Sequence, residues 1–576
     1  MQRTGEAGAR GIVDADMPRQ CQPGLLQLLP FFSWNWLVKL TARLGVMSPI
    51  PAHSISSSKE DNERLSPALQ GLRKSESLAI YAILSAFAAV LALTTLRHEI
   101  YLDEAQAWLI ARDSRGLFDL FHILSYEAHP ALWYVVLFLP AHASSNMELI
   151  RVINFALAAG TAWLILSWRS QPVLIRTLLV FGITIFFVMG VLARSYMLGG
   201  FLLIAAARCL LVRRPRHWLA MSLLALAINT HFFAIPVVVC IFVWFYWFGA
   251  NPSWAAATAR LKEPRFRASA AVLGLALVTC FLTIHPAADV STHYLIPGKG
   301  WVDYLVLAIG RIWHYFVPFS PGISAPRIGH SGMTLSEWTD ALLTIACWLL
   351  AIAVLPTRRS RWFMISVSLL WSAAVIVTVH IPNQTHCSFL VVAYVIALNS
   401  GMGDAGDHSW LPSFAAQPML LIILAMQISV CLVYCAEEWQ KPFSGTKATA
   451  IWLENAGLSH RPLVIQPEIA APALIGYLGI KSAYLPSCSC NHSYVIYRQG
   501  WDRERQVTRT EMNALQSLFG VSPVLISQWR LGSADLQNLG LQLLYTSPHG
   551  WAWDNENVYV YGTAGELTTK KSGAIQ

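Results

Sequence analysis

The chain has 576 residues, 55% of them hydrophobic and only 13% charged, with a formal net charge of +9. A soluble globular domain carries about 25% charged residues, so the composition excludes an ordinary soluble enzyme and indicates a polytopic α-helical membrane protein. The basic balance does not indicate nucleic acid. Most Lys and Arg fall in short clusters between apolar runs, the pattern of cytoplasmic loops under the positive-inside rule.

Residues 1–76 are rich in Pro, Ser, Gly and charge, and Leu25–Leu44 is too interrupted by Pro30 and Lys39 to span a bilayer. They are expected to form a disordered or interfacial cytoplasmic tail. They lack the ordered n-region, h-region and cleavage site of a signal peptide, and Met47 is an alternative start.

A membrane domain is expected over 77–436, beginning with the apolar run Ser77–Leu96. After it, Leu102–Leu109 and Leu117–Leu124 show helical apolar spacing on one side, as interfacial helices do. Further spans are read at Val152–Trp168, Thr177–Leu192, Met197–Val212, Trp218–Ile228, Phe232–Phe248 and Ala270–Ile284. Trp218–Phe248 as one helix would run about 46 Å against a ~30 Å hydrocarbon core, so it is divided at Asn229-Thr-His231. Trp338–Leu355, Trp362–Val379, Ser388–Leu398 and Met419–Tyr434 complete the set. The total is about eleven spans, or about thirteen if the doubtful runs Ala131–Ala143 and Trp301–Val317 also cross.

Basic breaks at Arg169/Arg176, Arg213–His217 and Arg260–Arg267 alternate with less basic ones at Arg194-Ser-Tyr196, Asn229–His231 and His285-Pro286. The positive-inside rule puts the basic breaks in the cytoplasm. Loops 98–149 and 285–337 then lie outside, most simply if Ala131–Ala143 does not cross.

Residues 437–576 change character. Pro462–Ile465, Tyr494–Tyr497, Val524–Ile526 and Val558–Tyr561 read as strands, and Ile451–Ala456, Ala470–Leu478 and Glu511–Leu518 as helices. The alternation predicts a small extracytoplasmic α/β domain. Cys488 and Cys490 are the close cysteine pair, suited to a structural disulfide or inert thiols, and no zinc spacing is present.

Loop 98–149 opens with Tyr101-Leu-Asp-Glu-Ala-Gln-Ala-Trp108 and continues with Tyr126-Glu-Ala-His-Pro-Ala-Leu-Trp-Tyr134. Asp103 and Glu104 suit a helix N-terminus. At an outer membrane face, beside His129 and a cluster of Tyr and Trp, they also suit deprotonation of a hydroxyl.

These two motifs resemble the first outer loop of the GT-C superfamily of membrane glycosyltransferases, most closely the branch of protein mannosyltransferases and lipid A aminoarabinose transferases. Leu192-Ala-Arg-Ser-Tyr-Met-Leu198 is similar to that branch's Ala-Arg-x-Tyr/Asp motif, and Asn229-Thr-His-Phe-Phe233 to its Thr-His-Tyr-Phe element. The resemblance covers roughly 77–400. It implies a sugar donor on a polyprenyl phosphate and a glycan, lipid or protein acceptor in a bilayer, at the outer face of a bacterial cytoplasmic membrane. Asp103 would be the general base, and Glu104 would orient the acceptor or Asp103. His129, Arg194, Tyr196, His231, Lys299 and Arg327 would line the substrate site, with cations offsetting the leaving phosphate.

The chain departs from the family in carrying Pro130-Ala131 for Pro-Pro, and Tyr196 where relatives often have a further acid. No cofactor is implied with certainty, and a divalent cation stays open. So do plainer roles: snorkelling for Arg194, turn formation for His129, structural hydrogen bonding for His231 and His386. The competing functional classes are a transporter or flippase of a lipid-linked saccharide and a non-catalytic envelope assembly protein.

Overall fold

The computed structural model describes residues 67–212, 214–249, 253–291, 306, 309, 335–378, 384–400, 413–551 and 557–563. Lys299, Arg327, most of Trp301–Val317 and the tail before residue 67 lie outside them.

The chain is mostly helical. α1 (Pro67–Arg97) leads into a loop holding α2 (Leu102–Asp113), α3 (Leu117–Leu124) and α4 (Leu132–Ala143). The bundle continues through α5 (Leu149–Leu166), α6 (Val173–Val180, extended by a π-helical stretch over Thr184–Val191), α7 (Ser195–Leu211), α8 (His217–Ile228), α9 (Ile235–Ile241), α10 (Trp254–Leu261), α11 (Pro264–Ile284), α12 (Leu335–Ala353), α13 (Arg358–Thr378), α14 (Gln384–Asn399) and α15 (Ser413–Gln440). Among the described residues, six helices are long and apolar enough to cross a membrane: Ser75–Arg97, Leu149–Leu166, Val173–Val191, Pro264–Ile284, Arg358–Val377 and Ala415–Gln440. Shorter apolar helices, among them α7, α8 and α14, pack between them.

Loop 98–149 leaves and rejoins the bundle at one end, because the Arg151 guanidinium at the start of α5 donates to the His98 carbonyl at the end of α1. α4 has 12 residues, about 18 Å of helix, too short for a ~30 Å core. Its His142 Nε2 lies 3.0 Å from the Ser114 carbonyl at the end of α2. The opposite end of α1 meets the basic breaks. Arg176 pairs with Glu76 at 2.6 Å, and Gln171 donates to the Leu398 carbonyl at 2.6 Å.

α2 departs from the interfacial expectation. Its residues from Glu104 to Ala111 are all buried, because α4 covers one side and the C-terminal domain another. Trp108 is enclosed completely, which removes enough aromatic surface to contribute about 4–6 kcal/mol at ~25 cal/mol per Å². α3 keeps the one-sided character: Phe118 is 92% exposed while Leu120 and Leu124 are buried.

The C-terminal domain comprises α16 (Thr446–Asn455), β1 (Leu463–Gln466), α17 (Ala471–Leu478), β2 (Ala483–Leu485), β3 (Cys490–His492), α18 (Arg509–Phe519), β4 (Val524–Ser527), α19 (Ser533–Leu539), β5 (Gln542–Thr546) and β6 (Tyr559–Gly562). The sheet order is β3-β2-β1-β4-β6-β5. β1 is parallel to β2 and β4, with Val464 opposite Tyr484 and Leu525. Both β1 and β4 are buried throughout and apolar up to their last residues, Gln466 and Ser527, as central parallel strands are. Cys488 and Cys490 form a disulfide. The expected strand at Tyr494–Tyr497 is absent. The backbone of that segment pairs instead with a side chain and a loop: Val495 with Gln106, and Tyr497 with the N–H of Ser291.

Candidate active site

Two breaks in the bundle bring the site together. The first lies between the π-helical stretch and α7, where the amide of Asn154 donates to the carbonyls of Met189, Gly190 and Leu192 at 2.9, 2.8 and 3.3 Å. These bonds occupy carbonyls that the interrupted helix leaves unpaired, and they deliver Arg194 at the N-cap of α7. The second break is Asn229–His231. The Asn229 carbonyl accepts from Leu132 N–H at 2.9 Å, joining this break to the His129-Pro130 segment. Gly199 lets α7 approach it closely, since a β-carbon there would lie 2.7 Å from Thr230 Oγ1 and 2.8 Å from Phe389.

Asp103 stands in the first turn of α2. Its Oδ2 meets Arg194 Nη1 at 2.8 Å and accepts from Tyr101 OH at 3.3 Å. Both contacts fall on Oδ2, and Oδ1 accepts no hydrogen bond among the described residues. Asp103 is 40% exposed and Arg194 13%, so the pair faces an opening. The guanidinium also lies 5.1 Å above the Tyr196 ring. Tyr196 is buried and its hydroxyl accepts from Thr385 Oγ1 at 3.1 Å.

Tyr196 and His231 rings are 4.7 Å apart, His231 and His129 5.8 Å, and His231 and His386 5.6 Å. His231 Nδ1 accepts from Phe233 N–H at 3.1 Å, so its neutral ring carries the proton on Nε2. His129 Nδ1 donates to the Glu127 carbonyl at 2.7 Å, which leaves Nε2 as acceptor in the neutral form. The turn that aims His129 holds Ala128 at φ +53°, the left-handed region that costs a β-carbon-bearing residue energy and recurs at functional sites.

Glu104 points elsewhere. It is fully buried, with Oε2 3.0 Å from His98 Nε2 and Oε1 accepting from Ala193 N–H at 2.6 Å. His98, also buried, lies 3.3 Å from Glu438 on its other side. Burial alone would lower the His98 pKa, but the Glu104 and Glu438 carboxylates raise it to about 9. Burial alone would raise Glu104, but His98 and the Ala193 N–H hold it below its ordinary value. Glu104 is therefore closed off from the opening that Asp103 faces. Its contact on the Arg194 side is to the Ala193 backbone.

Sequence reasoning missed Glu127. Gln106 Nε2 donates to its Oε1 at 2.8 Å. Burial, reinforced by the nearby Asp103 charge and opposed by Gln106, Arg503 and Arg194, pushes its carboxyl up to about 8. Its place beside His129 in Tyr126-Glu-Ala-His was the available signal. His386 and Thr385, from the start of α14, also join the cluster. Among the described residues no three His, Cys, Asp or Glu side chains converge as a metal-ligand set.

No protein-family model and no curated protein sequence matches the chain. Two electron cryo-microscopy structures of the arabinofuranosyltransferase AftD from Mycobacteria are similar to it. One, a single-substitution variant, has a TM-score of 0.37 and 13% identity, covering 83% of this chain and 41% of that one. The other has a TM-score of 0.34 and 13% identity, covering 84% and 40%. The chain thus spans about two-fifths of the length of those proteins. An overlap that loose establishes neither a shared fold nor a shared activity.

Proposed function

We propose that the protein is a GT-C-type membrane glycosyltransferase. It moves a sugar from a polyprenyl-phosphate donor to a hydroxyl of an envelope glycan, lipid or protein at the outer face of a bacterial cytoplasmic membrane. The observation that carries this reading is the Asp103–Arg194 pair, with Oδ1 of Asp103 open, set among Tyr196, His231 and His129.

In the step we assign, the acceptor hydroxyl gives its proton to Asp103 Oδ1 as its oxygen attacks the anomeric carbon. The bond from that carbon to the phosphate oxygen breaks, and the polyprenyl phosphate departs with the electron pair. Arg194 keeps Asp103 oriented and offsets charge gathering on the phosphate. Placement of the site at the end of α1 opposite the Arg176–Glu76 pair supports an outer face under the positive-inside rule.

The test is mass spectrometry of envelope glycans and lipids from cells with and without the protein. A sugar increment missing only from the deletion strain is expected. Identical profiles would remove the assignment.

A further inference from the structure

A line of hydrogen bonds runs behind the Asp103–Arg194 pair and ends in the C-terminal domain. It starts at Ala193, whose N–H donates to Glu104 Oε1 at 2.6 Å. Glu104 Oε2 lies 3.0 Å from His98 Nε2 and accepts from Tyr101 N–H at 3.2 Å. On the far side of the ring, His98 Nδ1 lies 3.3 Å from Glu438 Oε1, at the end of α15. Glu438 Oε2 accepts from the indole N–H of Trp551 at 3.2 Å, and Trp551 belongs to the connection between β5 and β6.

A second path reaches Asp103. The Phe443 ring, just past α15, packs on Trp551 at 5.5 Å, on His98 at 4.6 Å and on Tyr101 at 5.2 Å between ring centroids. Tyr101 OH in turn donates to Asp103 Oδ2 at 3.3 Å. Trp551 is also seated by its backbone, since its N–H donates to the Pro442 carbonyl at 3.1 Å. Gly550 permits that approach: a β-carbon there would stand 2.7 Å from the Phe443 carbonyl oxygen and 2.9 Å from Ser444 Cα.

His98, Glu104 and Glu438 are all buried. Ionisable groups buried together add little stability over an apolar cluster of the same shape. What they add is direction. Each ring nitrogen of His98 faces a carboxylate, so the ring donates from both. All four oxygens of Glu104 and Glu438 are engaged, and none of these side chains can turn without breaking a hydrogen bond to a charged group. We infer that His98, Glu438 and Trp551 are positioning residues for the Asp103–Arg194 pair, so that the docked C-terminal domain sets the geometry of that pair. The inference rests on the glycosyltransferase reading only for what the pair does to substrate.

The test is the rate at which phenylglyoxal, an arginine-selective dicarbonyl, modifies Arg194 in the full-length protein in membranes, read by mass spectrometry of its peptide. The ion pair with Asp103 slows this reaction, and Asp103→Asn marks the rate of the unpaired guanidinium. Arg498, 53% exposed and paired with Asp289 away from the network, is the control. Trp551→Phe keeps an aromatic ring against Phe443 and removes the indole N–H; Glu438→Gln keeps the side-chain shape and removes the charge. Each should speed modification of Arg194 about tenfold, as loss of one hydrogen bond to a charged group would, while Arg498 reacts at the rate of the unsubstituted protein. An Arg194 rate unchanged in either variant, or one that rises only in step with Arg498, would overturn the inference. These outcomes separate from those of the underlying reading. Arg194 released by both substitutions, with transfer unaffected by Asp103→Asn, sinks the glycosyltransferase reading alone. Transfer abolished by Asp103→Asn, with Arg194 unmoved by Trp551→Phe and Glu438→Gln, sinks this one alone.

Discussion

Ala193 donates its backbone N–H to Glu104 Oε1 at 2.6 Å, so the neighbour of Asp103 holds the neighbour of Arg194. The two halves of the ion pair are fixed through adjacent residues on separate elements. Glu104→Ala should therefore release Arg194 and also strand His98 beside Glu438. Breaking a buried pair from one side costs about 3–5 kcal/mol. A thermal melt of the purified protein in detergent should show a large drop, and an unchanged melting temperature would contradict the arrangement.

The same network sets a pH window. His98 is raised to about 9, so its stabilising contribution is complete below the ordinary histidine value and is lost as pH rises through about 9. Glu104 is lowered, so its contribution is present above the ordinary carboxyl value and is lost as pH falls through its depressed one. Melting temperature against pH should therefore fall on both sides, and His98→Asn should flatten the alkaline fall. An alkaline fall of the same size in that variant would assign it to another group.

Glu127, with its carboxyl at about 8, is neutral at pH 7 and gains charge on alkalinisation. Under the proposed mechanism, a second negative charge beside Asp103 would repel a donor phosphate. Transfer activity of isolated membranes should decline above about pH 8, and Glu127→Gln should remove that limb whatever its rate at pH 7. A retained limb in the variant would point to a different titrating group.

Gln106 serves both the loop and the C-terminal domain. Gln106→Leu leaves the N–H and C=O of Val495 unpaired, at about 1–3 kcal/mol for each buried group. Hydrogen exchange should quicken over residues 494–498 while the sheet strands stay protected. Unchanged exchange there would show that the amide contributes nothing to docking.

The mostly helical membrane class was legible because long apolar runs report themselves directly, and six helices of crossing length are present among the described residues, against the about eleven to thirteen spans read from the sequence. Asp103, Arg194, Tyr196, His231 and His129 stood out in motifs, and they meet in one cluster. The pair Asp103–Glu104 could not be divided from sequence. Neighbours on a helix point about 100° apart, so one faces the opening and the other the interior, but both are equally hydrophilic. His98 and Glu438 are 340 positions apart, and nothing local announces that they share a buried network. Tyr494–Tyr497 has the composition of a strand, yet its hydrogen-bond partners are the Gln106 amide and a loop, which no local pattern encodes.

The central claim is that Asp103 is the base of a sugar transfer, and Asp103→Asn tests it most directly. The variant keeps the shape of the side chain and removes the carboxylate that pairs with Arg194. In a deletion strain complemented with each form at equal membrane abundance, envelope mass spectrometry should show the sugar increment restored by the unmodified protein and absent with Asp103→Asn. A normal increment from the variant would contradict the account.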